Sequence, residues 1–232
     1  MSRVLPILFN SDMVRAILDG RKTVTRRLIK VPSYYPHFYK LHDNTDGRIA
    51  GQKNKLFAGF YKDEQIFYIN GEKHVDAVYY KAPCKPGDTL YVRETWQYMY
   101  DLDGNDQIIE ETGRYVYAAD GLDVDTWVNP DGTHRFGIPW KPSIHMPKEA
   151  ARIWLKVADV RMERLQDMRS EDGLNEGIQI DDFDLPGKSV VSNFKKVWNS
   201  TIKKSYLHVY GWDANPWVWR IKFERCEKPE GV

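Results

Sequence analysis

Residues 20–30 read Gly-Arg-Lys-Thr-Val-Thr-Arg-Arg-Leu-Ile-Lys. Five of the ten residues from 21 to 30 are basic and none is acidic. This is the sharpest charge anomaly in a chain whose 34 basic and 33 acidic residues leave a net charge of +1. Two readings follow. The segment is a solvated basic turn, or its cations line a pocket. Clustered Arg and Lys bind phosphate or a carbonyl-rich ring edge. They also disfavour the protonated form of a neighbouring lysine. Lys22 then becomes a candidate general base toward Thr25, whose hydroxyl is a poor nucleophile until deprotonated. The spacing of three puts the two side chains on one side of a turn or helix, but on opposite sides of a regular strand.

Upstream, residues 4–9 (Val-Leu-Pro-Ile-Leu-Phe) predict a short buried strand. Asn10, Ser11 and Asp12 supply N-cap chemistry, Met13, Val14, Ile17 and Leu18 recur at helical spacing, and Gly20 ends the helix. Downstream, Gln65 to Asn70 and Val75 to Lys81 read as strands around an Asn70-Gly71 turn. Pro86-Gly87-Asp88 opens an alternating strand from Thr89 to Trp96, with Leu90, Val92, Glu94 and Trp96 on one face. A charge at Glu94 directed into a core needs a partner. Residues 101–125 hold eight acids and one base, Arg114, and read as a loop around a short strand from Arg114 to Ala118. The proline-rich stretch from Asn129 to Pro147 reads as loop. A strand from Ala151 to Val160, a helix from Leu165 to Ile178, a helical stripe of Val190, Val191, Phe194, Val197 and Trp198, and a last strand after Asn215-Pro216 complete the chain. That order suggests an α+β domain with a curved sheet or small barrel, enlarged by insertions at about 32–81 and 97–140.

The chain has 232 residues, long enough to bury about 70% of its unfolded surface without disulfides or metal. Balanced charge argues against a broad basic surface for nucleic acid. Eight Trp, 14 Tyr and 9 Phe suit a β-rich core or a pocket that stacks flat rings. Two distant cysteines, Cys84 and Cys226, suit a reducing compartment. No apolar run approaches the roughly 20 residues that span a bilayer, and a soluble, cytoplasmic protein is expected. The sequence has no Gly-rich phosphate loop, no zinc-protease helix motif, no serine nucleophile elbow, and no metal-ligand spacing among its six histidines. Any catalysis is therefore expected to need neither metal nor cofactor.

Gly20-x-Lys22-x-x-Thr25-x-Arg27 resembles the Gly-x-Lys-x-x-Glu/Thr-x-Arg signature of the ASCH domain, a relative of the PUA-type RNA-binding barrels. Residues 86–96, 141–147 and 212–217 resemble the longer ASCH-like proteins of phages and prophages, so the likeness runs from about residue 5 to 225 outside the two insertions. It implies one PUA-like domain, a small β-barrel with flanking helices, over residues 1–232. It also implies a nucleotide-sized cleft beside the Lys22 loop. Compact ASCH enzymes are amidohydrolases that remove the acyl group from N4-acetylcytidine, with lysine as base, threonine as nucleophile and a glutamate on a later helix as proton donor. Lys22 and Thr25 match the first two. Glu176 falls closest to the third with a one-residue shift, and Glu171 is the alternative. This chain is much longer than those enzymes, and Arg93-Glu94 stands where they carry a Gly-Arg pair.

The candidate catalytic residues are thus Lys22, Thr25 and Glu176. The candidate substrate contacts are Arg26, Arg27, Arg93, Glu94 and Trp96. Each has a plainer reading: Glu94 in an ion pair with Arg26 or Arg27, Glu176 as an ordinary helix residue, Trp96 as a core aromatic. The expected partner is a small nucleoside or nucleobase. The competing reading is a binding module for RNA or a modified base that uses the same cationic cleft without chemistry.

Overall fold

In the computed structural model, placement is described for residues 2–30, 57–61, 66–70, 78–105, 107–124, 126–129, 133–179 and 188–231. Along the chain the elements are β1 (Val4–Leu8), α1 (Ser11–Leu18), β2 (Val24–Leu28), β3 (Phe57–Tyr61), β4 (Ile66–Asn70) and β5 (Val78–Lys81). There follow β6 (Thr89–Arg93), β7 (Trp96–Leu102), β8 (Ile108–Tyr117), β9 (Thr126–Val128), β10 (His134–Phe136) and β11 (Trp154–Arg164). Last come α2 (Ser170–Asn175), α3 (Lys188–Thr201), α4 (Leu207–Tyr210) and β12 (Trp217–Cys226). The class is mixed α+β, mostly strand. Two compact units share the chain: Met1–Lys22, Thr89–Lys156 and Arg225–Val232 make the first, and Thr23–Asp88 and Val157–Glu224 the second.

In the first unit the strand order is β1-β6-β11, with β1 parallel and β11 antiparallel to β6. α1 starts where expected: the Asn10 side chain accepts from the Met13 N–H at 2.9 Å. Its buried stripe is Val14, Ala16 and Ile17. Gly20 turns the chain with φ +75°, a left-handed angle that suits glycine. The strand expected over residues 89–96 is interrupted. β6 ends at Arg93, and the Glu94 N–H points to the Met146 sulfur at 3.2 Å. From Trp96 the backbone pairs with β8 and with Lys141 instead. The interior face still runs Leu90, Val92, Glu94, Trp96, all buried. Trp96, Tyr117, Met146, Ala150, Ala151 and Trp154 form one core cluster.

The acidic stretch holds a ten-residue strand, β8, where a loop around a short strand was expected. It pairs antiparallel with β7, Trp96 opposite Tyr117 and Tyr98 opposite Tyr115. The outer half of this ribbon is solvated on both faces, so Glu110 and Glu111 occupy strand positions without disturbing a core.

In the second unit the order is β11-β12-β2, and β3-β4-β5 form a separate antiparallel sheet. Gln65, Gly71 and residues 75–77 of the expected hairpin lie outside the described residues. Trp217, Trp219, Ile221 and Phe223 are buried along β12 as the alternation requires. Leu165, Met168, Phe194, Trp198 and Val218 form the core beside α3. The single helix expected from Leu165 to Ile178 is broken. A 3-10 turn at Leu165–Asp167 precedes α2, which restarts because the Asp172 carboxylate accepts from the Arg169 N–H at 3.0 Å. The described strands do not close into the expected small barrel. β1 in its unit and β2 in its own are each an edge strand, and closure removes edges.

Candidate active site

The Lys22–Arg27 segment is not a solvated turn. Lys22, Thr25 and Arg26 are 2%, 2% and 4% exposed. Lys22 belongs to the first unit. Its N–H donates to the Ala16 carbonyl at 2.9 Å, and its ammonium lies 5.6 Å from the centroid of the Phe9 ring. Thr25, Arg26 and Arg27 belong to the second unit, on β2, opposite Ile221, Arg220 and Trp219 of β12. Side chains alternate along a strand, so Thr25 and Arg27 share one face and Arg26 takes the other.

The side chain of Arg26 is fully buried. Its guanidinium gathers three carboxylates: Glu163 at 2.6 Å, Glu176 at 3.1 Å and Asp172 at 3.6 Å. Asp172 also binds Arg220 at 3.0 Å, and the Phe194 ring lies 6.0 Å from the Arg26 guanidinium carbon. Buried charges persist only when paired and hydrogen-bonded. Here pairing draws on β2, β11, β12 and the end of α2. Burial works against the Asp172 carboxylate, but the Arg169 N–H and the charges of Arg220 and Arg26 outweigh it and hold its carboxyl below the usual range.

Glu176 is 6% exposed, whereas Glu171, the alternative, is exposed. It follows α2 as its C-cap. The Thr23 N–H donates to the Asn175 carbonyl at 2.8 Å, so the end of α2 lies against the start of β2. Placed at that edge, Glu176 answers to cations from both faces of the strand. It accepts directly from Arg26, and its charge opposes the burial that lowers the pKa of Arg27.

Arg93, Glu94 and Trp96 lie in the first unit. Arg93 donates to the Ile144 carbonyl. Glu94 is 1% exposed and pairs with neither Arg26 nor Arg27 among the described contacts; its partner is Arg152, through two hydrogen bonds of 3.0 Å. The same guanidinium holds Asp120 at 2.7 and 2.8 Å and stacks 3.9 Å over the Tyr117 ring. Burial raises the Glu94 carboxyl, and Arg152 pulls it partly back down. Burial also pushes the Tyr117 hydroxyl up to about 12. Trp96 packs against Tyr115 at 5.6 Å between ring centroids and receives the Lys141 ammonium at 4.8 Å.

Sequence reasoning missed Glu163, Asp172 and Arg220 around Arg26, and Arg152 and Asp120 around Glu94. Asp172 fell inside the helix expected from Leu165 to Ile178, with no sign that it would be paired. The others left no trace, because their partners are 32 to 137 residues away in the chain. Among the described residues, no group of His, Cys, Asp and Glu could hold a metal ion, and no helix is long and apolar enough to cross a membrane. The chain matches no family model, no curated protein and no solved structure.

Proposed function

We propose that this chain is an ASCH-like amidohydrolase that removes the acyl group from N4-acylated cytidine or cytosine derivatives, working in the cytoplasm. One observation supports this reading above the rest. The described residues include eight buried polar or charged side chains, and five of them (Lys22, Thr25, Arg26, Glu94, Glu176) are residues nominated from the sequence. Polar groups in a core cost free energy, so this concentration asks for a function.

The roles follow the motif. The Thr25 hydroxyl attacks the acyl carbon and passes its proton to the Lys22 amine. The tetrahedral intermediate collapses, the C–N bond breaks, and Glu176 protonates the departing amine. Arg27, on the face of Thr25, is suited to stabilise the developing oxyanion. Water then cleaves the acyl-threonine ester: its proton goes to Glu176, the Lys22 ammonium returns a proton to the Thr25 oxygen, and the carboxylic acid leaves.

The test is ultraviolet spectroscopy of N4-acetylcytidine during conversion to cytidine. Wild-type protein should turn it over. Thr25→Ala and Lys22→Ala should each lower kcat by at least about a hundredfold. Absence of wild-type turnover, or full activity in Thr25→Ala, overturns the reading. A binding module for RNA or a modified base is the second reading. It is favoured by the engagement of the Glu176 carboxylate with Arg26, as a purely structural ion pair requires.

A further inference from the structure

The side chain of Arg26, nominated as a substrate contact, exposes nothing to a ligand. Its Nε donates to Glu163 Oε1 at 2.7 Å, its Nη2 lies 2.6 Å from the same oxygen without hydrogen-bond geometry, and its Nη1 donates to Glu176 Oε1 at 3.1 Å. A planar guanidinium anchored at Nε presents its other N–H groups in fixed directions. Glu163 sits on the long strand β11 and is 11% exposed, so the anchor is part of the sheet. Glu176 sits just past a helix of only six residues. A helix so short has little stability of its own, and its end is held by tertiary contacts. Asp172, one turn earlier, is tied to the same guanidinium and to Arg220. The rigid sheet thus fixes the carboxylate of a short helix through one residue.

We infer that Arg26 is a positioning residue and not a substrate contact: held by Glu163, it sets the place and direction of the Glu176 carboxylate. This rests on the amidohydrolase reading, in which Glu176 delivers the proton. A displacement of about 1 Å at a reacting group costs on the order of a hundredfold in rate. Lysine keeps the charge of Arg26 but offers no rigid fork.

The experiment is steady-state kinetics on N4-acetylcytidine with wild type, Arg26→Lys, Glu163→Gln, Glu176→Gln and the double variant Arg26→Lys/Glu176→Gln. Arg26→Lys and Glu163→Gln should each lower kcat about 10- to 100-fold with KM unchanged. The double variant should be no slower than Glu176→Gln, because Arg26 acts only through Glu176. A general structural role would instead add to the Glu176 defect. If Arg26→Lys does not fold, Glu163→Gln and its double with Glu176→Gln make the same comparison. A raised KM with intact kcat makes Arg26 a substrate contact and overturns the proposal. Unchanged kcat, or additive losses, overturns it while the amidohydrolase reading stands. An inactive wild type removes both together.

Discussion

Arg152 divides one guanidinium between Glu94, which is buried, and Asp120, which is half-exposed. Removing one partner of a buried pair leaves an uncompensated charge, whereas removing both leaves an apolar cavity that can repack. Arg152→Met should therefore destabilise the protein by about 3–5 kcal/mol, and Arg152→Met/Glu94→Gln should recover part of that loss in denaturant unfolding. Equal losses in the single and double variants would show that the pair is not the source. Asp172 gives the acid-side prediction. Its folded carboxyl lies below its unfolded value, so its contribution is present above the unfolded pKa and is lost as pH falls through the folded one. Asp172→Asn should narrow the drop in thermal stability between about pH 5 and about pH 2, at the cost of lower stability at neutral pH. An unchanged acid slope would contradict it. At this scale the sequence placed one buried charge, Glu94, and offered Arg26 or Arg27 as its partner where the structure has Arg152. Period-two alternation sends Glu94 inward, but nothing in the chain before Arg152 announces its partner.

Among the elements, α1 was legible down to its cap, because capping and helical period are local. Asn10→Ala should cost about 0.5–2 kcal/mol in equilibrium unfolding, since the Met13 N–H loses its acceptor. α2 was read as part of one longer helix, and Gly173 lies buried within it. The structure gives that glycine a packing role. A Cβ there would lie closer to the Val190 Cγ1 of α3 than a side-chain carbon can come without something shifting. Glycine to alanine in a helix ordinarily gains up to about 1 kcal/mol. Here Gly173→Ala should instead cost about 1–3 kcal/mol by overpacking, and Gly173→Ala/Val190→Ala should relieve the strain. A stabilised Gly173→Ala variant would refute the packing account. The outer half of β8, before the strand expected from Arg114, was missed for the opposite reason to α1. That half has solvent on both faces, so it lacks the alternation by which strands are read.

For the whole molecule, the near-zero net charge conceals where charge lies. Of the five basic residues between 21 and 30, Lys30 alone is exposed. Arg21 is answered by Asp19 at 2.8 Å, and Arg26 by its three carboxylates. This segment cannot neutralise a run of phosphates. Any RNA affinity it provides should show a salt dependence equivalent to fewer than about two phosphate contacts. A steep slope abolished by Lys22→Ala or Arg27→Ala would place polyanion binding at this segment after all. The α+β class followed from the order of strand and helix patterns. The open sheets did not, because closure depends on pairings between distant strands that no local signal encodes.

The division of the chain bears on how the protein reaches this state. The backbone passes between the two units at Lys22–Thr23, Asp88–Thr89, Lys156–Val157 and Glu224–Arg225. In the first unit, Arg225 donates to the Leu18 carbonyl at 3.3 Å, and the Lys228 ammonium lies 5.9 Å from the Trp154 ring. During synthesis, neither unit is complete until residues near position 224 have left the ribosome. Such topology, rich in pairings of high sequence separation, folds slowly, and no single cut in the gene yields either unit intact.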